Sequence, residues 1–288
     1  MGSVEVALRT DAVLGEGPRW DAVRGRLLWV DIERRQVHLF DPVTGEDSYA
    51  EVDDRVGAAV PTVGDAVLVA LAHRLALLQP DGSLEELVPI PHGRQDMRLN
   101  DGACDPAGRF WVGSMALDLE RAAAVLFRYE KGALERVLDG ITLSNGIGWS
   151  PDGRLMYYVD SLAYGVDVFD FDADSGELRG RRPFVVLPRG SGVPDGLAVD
   201  EDGCLWLALY GRGRVHRYRP DGSLDGELTL PVTNVTSCGF GGADGRSLFV
   251  TTATQELAPD ALARQPLAGS LFVGDVGVSG PPAHPFAG

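Results

Sequence analysis

A turn closed by glycine and followed by a short apolar strand recurs six times along this chain, and no other feature limits the fold as much. The units are "DAVRGRLLWVD" (21–31), "PTVGDAVLVAL" (61–71), "DPAGRFWVGSM" (105–115), "SPDGRLMYYVD" (150–160), "DEDGCLWLALY" (200–210) and "GADGRSLFVTT" (242–252). Their shared glycines, Gly25, Gly64, Gly108, Gly153, Gly203 and Gly245, are separated by 39, 44, 45, 50 and 42 residues. A second hairpin follows each unit, from "VHLFDPVTGE" (37–46) to "LFVGDVGVSG" (271–280). Glycine suits such turns because it adopts positive φ without steric cost, and the alternating apolar residues after it read as strand. Four short strands per unit, repeated six times, predict an all-β chain folded as a six-bladed β-propeller. A β-sandwich would have no need of the same unit six times. No linker separates the units, so residues 1–288 are expected to form a single domain. "VEVALRT" (4–10) is then the outer strand of the last blade and closes the ring.

In a propeller the innermost strands of all blades line one central channel, so residues at a common offset form a ring. Eight residues ahead of the turn glycines stand Gly17, Val56, Asn100, Asn145, Asp195 and Ser237, with Glu16 one place earlier in its unit. Several precede a glycine, as in Asn145-Gly146 and Asp195-Gly196, where the glycine is expected to let the backbone bend and keep the axis open. Two carboxylates and two amides crowded around an axis repel or go unsatisfied without a partner. A divalent cation resolves this: Glu16 and Asp195 bring two negative charges and Asn145 a carbonyl oxygen. An all-oxygen set of this kind suits a hard ion. The expectation is therefore a metal site in the central channel.

Composition bears on partners. The formal net charge of −16 argues against nucleic acid and anionic membrane surfaces, both of which need a basic footprint. Cys104, Cys204 and Cys238 are an odd count with no C-x-x-C, which implies neither a disulfide framework nor a zinc knuckle. The start, "MGSVEVALRTD", has no basic segment followed by an apolar core, and no apolar stretch reaches the length of a membrane span. A cytoplasmic setting is expected. A closed propeller needs no second copy to cover its edges, so a monomer or weak homo-oligomer is expected. The five histidines lack zinc-ligand spacing, and neither H-E-x-x-H nor G-x-S-x-G occurs. His38 and His216 hold comparable strand positions, which points to packing.

The motifs "LGEGPRWD" (14–21), "RLNDGACDPAGRFWVGSM" (98–115), "LSNGIGWSPD" (143–152), "YYVDSLAYGVDVFDFD" (157–172), "VPDGLAVDEDGCLWLA" (193–208) and "RQPLAGSLF" (264–272), in this order and nearly end to end, resemble the SMP-30/gluconolactonase family. The resemblance implies a six-bladed propeller that binds one divalent cation and hydrolyses a sugar lactone. Carried over position by position, it places the metal ligands on Glu16, Asn145 and Asp195, residues the repeat had already singled out. Substrate contacts fall on Arg98, Asn100 and Asp118. Asp118 stands where the family has a Glu, in a short segment, so the choice of lactone stays open.

What the resemblance implies about mechanism is a cation acting as Lewis acid on the lactone carbonyl, with Asp195 as general base toward the attacking water. Ca²⁺ is the first expectation, with Mn²⁺, Mg²⁺, Zn²⁺ or Fe²⁺ as alternatives, and the substrate is a small sugar lactone such as D-glucono-δ-lactone. Two rivals carry different consequences: a metal-dependent phosphotriesterase or arylesterase on the same fold, and a non-catalytic calcium-binding regulatory protein.

Overall fold

A computed structural model describes residues 2–288 and forms six four-stranded antiparallel sheets. Each sheet is one blade, and five of them are consecutive in the chain. In the sixth, Glu5–Leu8 pairs with Leu271–Asp275, Val6 facing Phe272, so the N-terminal segment supplies the outer strand. The ring is thereby closed by hydrogen bonds between the two ends of the chain.

The repeat explains the packing between blades. In five of the six blades the strand after the turn glycine carries a large aromatic side chain that is fully buried: Trp29, Trp111, Tyr157, Trp206 and Phe249. Two of the indoles share one solution for their N–H. Trp111 donates to Asp105 Oδ2 and Trp206 to Asp200 Oδ2, each at 2.9 Å, and both carboxylates lie in the preceding turn. A buried ring N–H without an acceptor would carry its full desolvation cost. His38 stacks on Trp29 with centroids 3.8 Å apart, and His216 Nδ1 lies 2.9 Å from the Tyr218 hydroxyl, so both serve packing. Among the described residues no helix is long and apolar enough to cross a membrane.

All six inner strands lose register with their neighbours at the same place. The shifts fall between Glu16 and Arg19, Val56 and Ala58, Leu99 and Gly102, Ser144 and Ile147, Pro194 and Leu197, and Val235 and Ser237. A bulge re-aims the side chains around it, and here it turns the ring residues toward the axis. The glycines beside them act differently from the expected bend. Gly146 and Gly196 do not take positive φ. A Cβ on Gly146 would stand 2.8 Å from the Asp195 carbonyl oxygen, and one on Gly196 would run into the Ser237 side chain. Close approach of the next blade, and not a sharp turn, is what demands glycine there.

The far end of the channel is closed by residues that the repeat does not account for. After Asp275 the chain crosses from blade 6 to blades 2 and 3. Glu201 N donates to Ser279 O (2.9 Å), Gly280 N to Gly245 O (3.0 Å), Phe286 N to Pro61 O (2.8 Å) and Ala287 N to Gly108 O (3.0 Å). Phe286 is buried and stacks on Tyr129 at 5.8 Å. Pro281 to His284 form the floor of a cavity of about 100 Å³, whose walls include Arg19, Ala103, Cys104 and Gly148.

Candidate active site

Glu16, Asn100, Asn145 and Asp195 converge at the opposite end, where the inner strands begin, and each is at most 7% exposed. One hydrogen-bonded row links blades 3 and 4. Arg98 Nη1 donates to the Leu99 carbonyl (3.0 Å) and to Asn100 Oδ1 (2.5 Å). Asn100 Nδ2 donates to Ser144 O (2.7 Å) and Asn145 Oδ1 (3.0 Å), and Asn145 Nδ2 donates to Ser161 Oγ (2.8 Å). Asn100 spends both amide hydrogens within the row, and Asn145 Oδ1 keeps a lone pair. The Tyr158 hydroxyl donates to Ser144 Oγ at 2.7 Å and fixes the strand behind the row. Gly113 makes room for that serine: a Cβ there would collide with it.

The carboxylates are badly provided for. Burial, then the nearby charge of Asp101, raises Glu16 from its usual 4.5 to about 8, against the pull of the Gly17 N–H, Arg98 and Arg19. Asp195 is pushed well above the carboxylate range, first by burial and then by Glu16 and Asp101. Its Oδ1 is buried with no hydrogen-bond partner among the described residues. Asp101 is also raised by burial, but it has a counter-ion in Arg19 (Nη2 to Oδ1, 3.3 Å) and accepts from Gly102 N at 2.7 Å.

The buried charges around the channel do not balance. Three buried carboxylates, Glu16, Asp101 and Asp195, face two buried guanidiniums, Arg19 and Arg98. Arg19 is taken by Asp101. Arg98 is turned toward a carbonyl and an amide oxygen, and burial lowers it to about 10, partly offset by Glu33, Glu16 and Asp195. Glu16 and Asp195 are left without a positive partner. Two carboxylates and one amide oxygen, one of them orphaned, fit a hard divalent cation. Among the described residues no three His, Cys, Asp or Glu side chains gather as a metal cluster.

Asp118 does not join this cluster. It lies on the exposed turn after Phe110–Ala116, at the same end of the channel, where Arg94 Nη2 holds it at 2.9 Å alongside Asp96 and Glu120. The reading by offset also missed Arg19. It follows Glu16 by three residues in "GEGPRW", and its position on an inner strand was the available sign that it faces the channel.

Comparison with known proteins agrees with this architecture. Residues 14–254 match the family model described as SMP-30/Gluconolactonase/LRE-like region. Regucalcin of Oryctolagus cuniculus is 37% identical over 99% of this chain and 98% of its own length. The "Putative sugar lactone lactonase YvrE" of Bacillus subtilis (strain 168) is 34% identical over 97% of each chain. The structure of a calcium-binding protein, regucalcin, from Agrobacterium tumefaciens superposes with a TM-score of 0.95 at 28% identity, over 99% of this chain and 97% of that one. The chain belongs to the SMP-30/gluconolactonase/LRE-like family.

Proposed function

We propose that this protein is a divalent-cation-dependent lactonase that opens a sugar lactone, such as D-glucono-δ-lactone, to the aldonic acid. The observation that carries the proposal is the unpaired Asp195 carboxylate, buried beside Glu16 where the channel begins, with one oxygen unused. Glu16, Asn145 and Asp195 would hold the cation, Ca²⁺ in the first place, as the calcium-binding relative suggests. When bound, the ion supplies electrophilic polarisation of the lactone carbonyl.

The remaining work falls to side chains of this chain. Asp195 takes a proton from the water that attacks the carbonyl carbon. The ring C–O bond then breaks, and that proton passes to the departing ring oxygen, which becomes a hydroxyl of the aldonic acid. Arg98 and Asn100 bracket the sugar hydroxyls nearest the carbonyl, since Arg98 spends only Nη1 on its neighbours. Asp118 adds an acceptor at the rim when Arg94 releases it. The net charge of −16 accords with a small neutral substrate and with neither nucleic acid nor anionic lipid as partner. Three free, buried cysteines suit a reducing cytoplasm.

Proton release from D-glucono-δ-lactone and a panel of aldonolactones tests the reading, using chelator-stripped protein with Ca²⁺, Mg²⁺, Mn²⁺ or Zn²⁺ added back singly. Turnover above the spontaneous rate, restored by a cation, is the expected result. Cation binding without turnover on any lactone would refute it. That outcome would favour the non-catalytic calcium-binding reading, which the relative's description as a calcium-binding protein supports.

A further inference from the structure

Arg55 immediately precedes the inner strand of blade 2, Val56–Pro61. That strand runs so close to the inner strand of blade 3 that a Cβ on Gly57 would strike the Asn100 carbonyl oxygen and stand 2.8 Å from that of Leu99. Inner strands of successive blades run in the same direction along the axis. Arg55, two residues ahead of Gly57, is therefore level with Arg98, two residues ahead of Asn100.

Glu33 approaches from blade 1. It lies in the turn between Arg26–Asp31 and Gln36–Phe40, and the pairing of Asp31 with Gly15 puts this turn at the end where the inner strands begin. Arg55 Nε and Nη2 both reach Glu33 Oε2, at 3.0 and 2.9 Å. The pair is half-exposed, with side chains 25% and 40% accessible. Among neighbouring charges Glu33 does most to favour charged Arg98, and Arg55 opposes it, both ahead of Glu16 and Asp195. Both charges therefore lie near Arg98, at the end of the channel where the inner strands begin.

Glu33 makes both contacts through one oxygen, which leaves Oε1 as an acceptor, and Arg55 keeps Nη1, on the far side of its guanidinium, as a donor. An acceptor and a donor held in one ion pair can meet two hydroxyls of a polyol, each of which both donates and accepts. We propose that the Glu33–Arg55 pair is a specificity-determining contact for the hydroxyls of the lactone farthest from its carbonyl. This rests on the lactonase reading. With the carbonyl held over Asp195 and the nearer hydroxyls on Arg98 and Asn100, the outer end of the sugar meets this pair.

The test compares wild type with Arg55→Met, Glu33→Gln and the double variant. The substrates are D-glucono-δ-lactone and hydroxyl-free δ-valerolactone, the latter at high concentration, with the activating cation present. The expected result for Arg55→Met is a KM for gluconolactone raised about tenfold with kcat within twofold, and a similar fall in selectivity over valerolactone, on the scale of one lost polar contact. The double variant is expected to cost no more than Arg55→Met, because the two residues act as one unit. Equal losses on both lactones would show only an effect on the reacting centre they share and overturn the assignment, as would no loss on either. Wild-type protein inactive on every lactone would instead refute the lactonase reading, and this inference with it.

Discussion

Metal-free protein is expected to lose stability as the pH rises from 6.5 to 8, and Glu16 shows why. Folded Glu16 keeps its proton up to about pH 8, whereas the unfolded chain releases it near the usual 4.5. Between these values folding takes up a proton, so stability falls by about 1.4 kcal/mol per pH unit for each such carboxyl. For Glu16 alone the whole window costs on the order of 5 kcal/mol, a large share of what a domain has. Below pH 4.5 both states are protonated and nothing is lost; above 8 the loss is complete. Asp195 adds in the same direction. His92, His216 and His284, lowered chiefly by burial, act with the opposite sign, but only below their ordinary 6.5. The range from 6.5 to 8 therefore isolates the carboxylates. Urea unfolding followed by tryptophan fluorescence, in chelator at several pH values, reads the slope. Glu16→Gln is expected to remove about one carboxyl's share of it and to be the more stable protein at pH 8 without metal. Saturating Ca²⁺ is expected to flatten the wild-type profile and to raise stability by about 2.7 kcal/mol at a hundredfold excess over Kd. A flat or rising profile for metal-free wild type, or an unchanged slope in Glu16→Gln, would refute the reasoning.

Asp195→Asn is expected to fold, to be stabilised in chelator by relief of the same repulsion, and to lose lactone turnover by at least about a hundredfold; turnover near wild type would exclude it as the base. Phe286→Ala empties a buried site stacked on Tyr129 and is expected to cost about 3–5 kcal/mol. By freeing the segment that floors the cavity, it is also expected to speed thiol labelling of Cys104 at least tenfold while Cys204 is unaffected. Equal acceleration at both cysteines would mean that the whole fold had loosened. Gly57→Ala forces a methyl into the Leu99–Asn100 backbone and is expected to cost about 1–3 kcal/mol in thermal or chemical unfolding, with substrate KM rising in step. A neutral result there would show that the inner strands have slack.

The six blades and the ring of oxygen donors were legible because their signals are local. A turn glycine, the buried aromatic a few residues on and the polar residue eight before it all lie within one hairpin. Each is dictated by backbone sterics or by the two-residue period of a strand. Counting from Gly153 and Gly203 is enough to bring Asn145 and Asp195 to one site. Five of the six turn glycines do take positive φ; Gly64 does not, its turn being held by the Thr62 hydroxyl.

Contacts between blades carry no such signal. Arg19 neutralises Asp101 across 82 positions, Glu33 reaches Arg55 from another blade, and Phe286 docks on Tyr129 from the opposite side of the ring. Asp118 is held by Arg94, whose loop enters from the preceding connection. The glycines after Asn145 and Asp195 were recognisable as necessary, but the reason, a neighbouring backbone pressed against them, is visible only once the ring has closed. The amino-acid sequence by itself thus determined the blades and which oxygens meet on the axis, because strand periodicity and turn sterics act over a few residues. The tertiary structure alone decided which of those charges are paired and which are left over. That balance depends on how closely the curvature of the ring brings strands from different blades together.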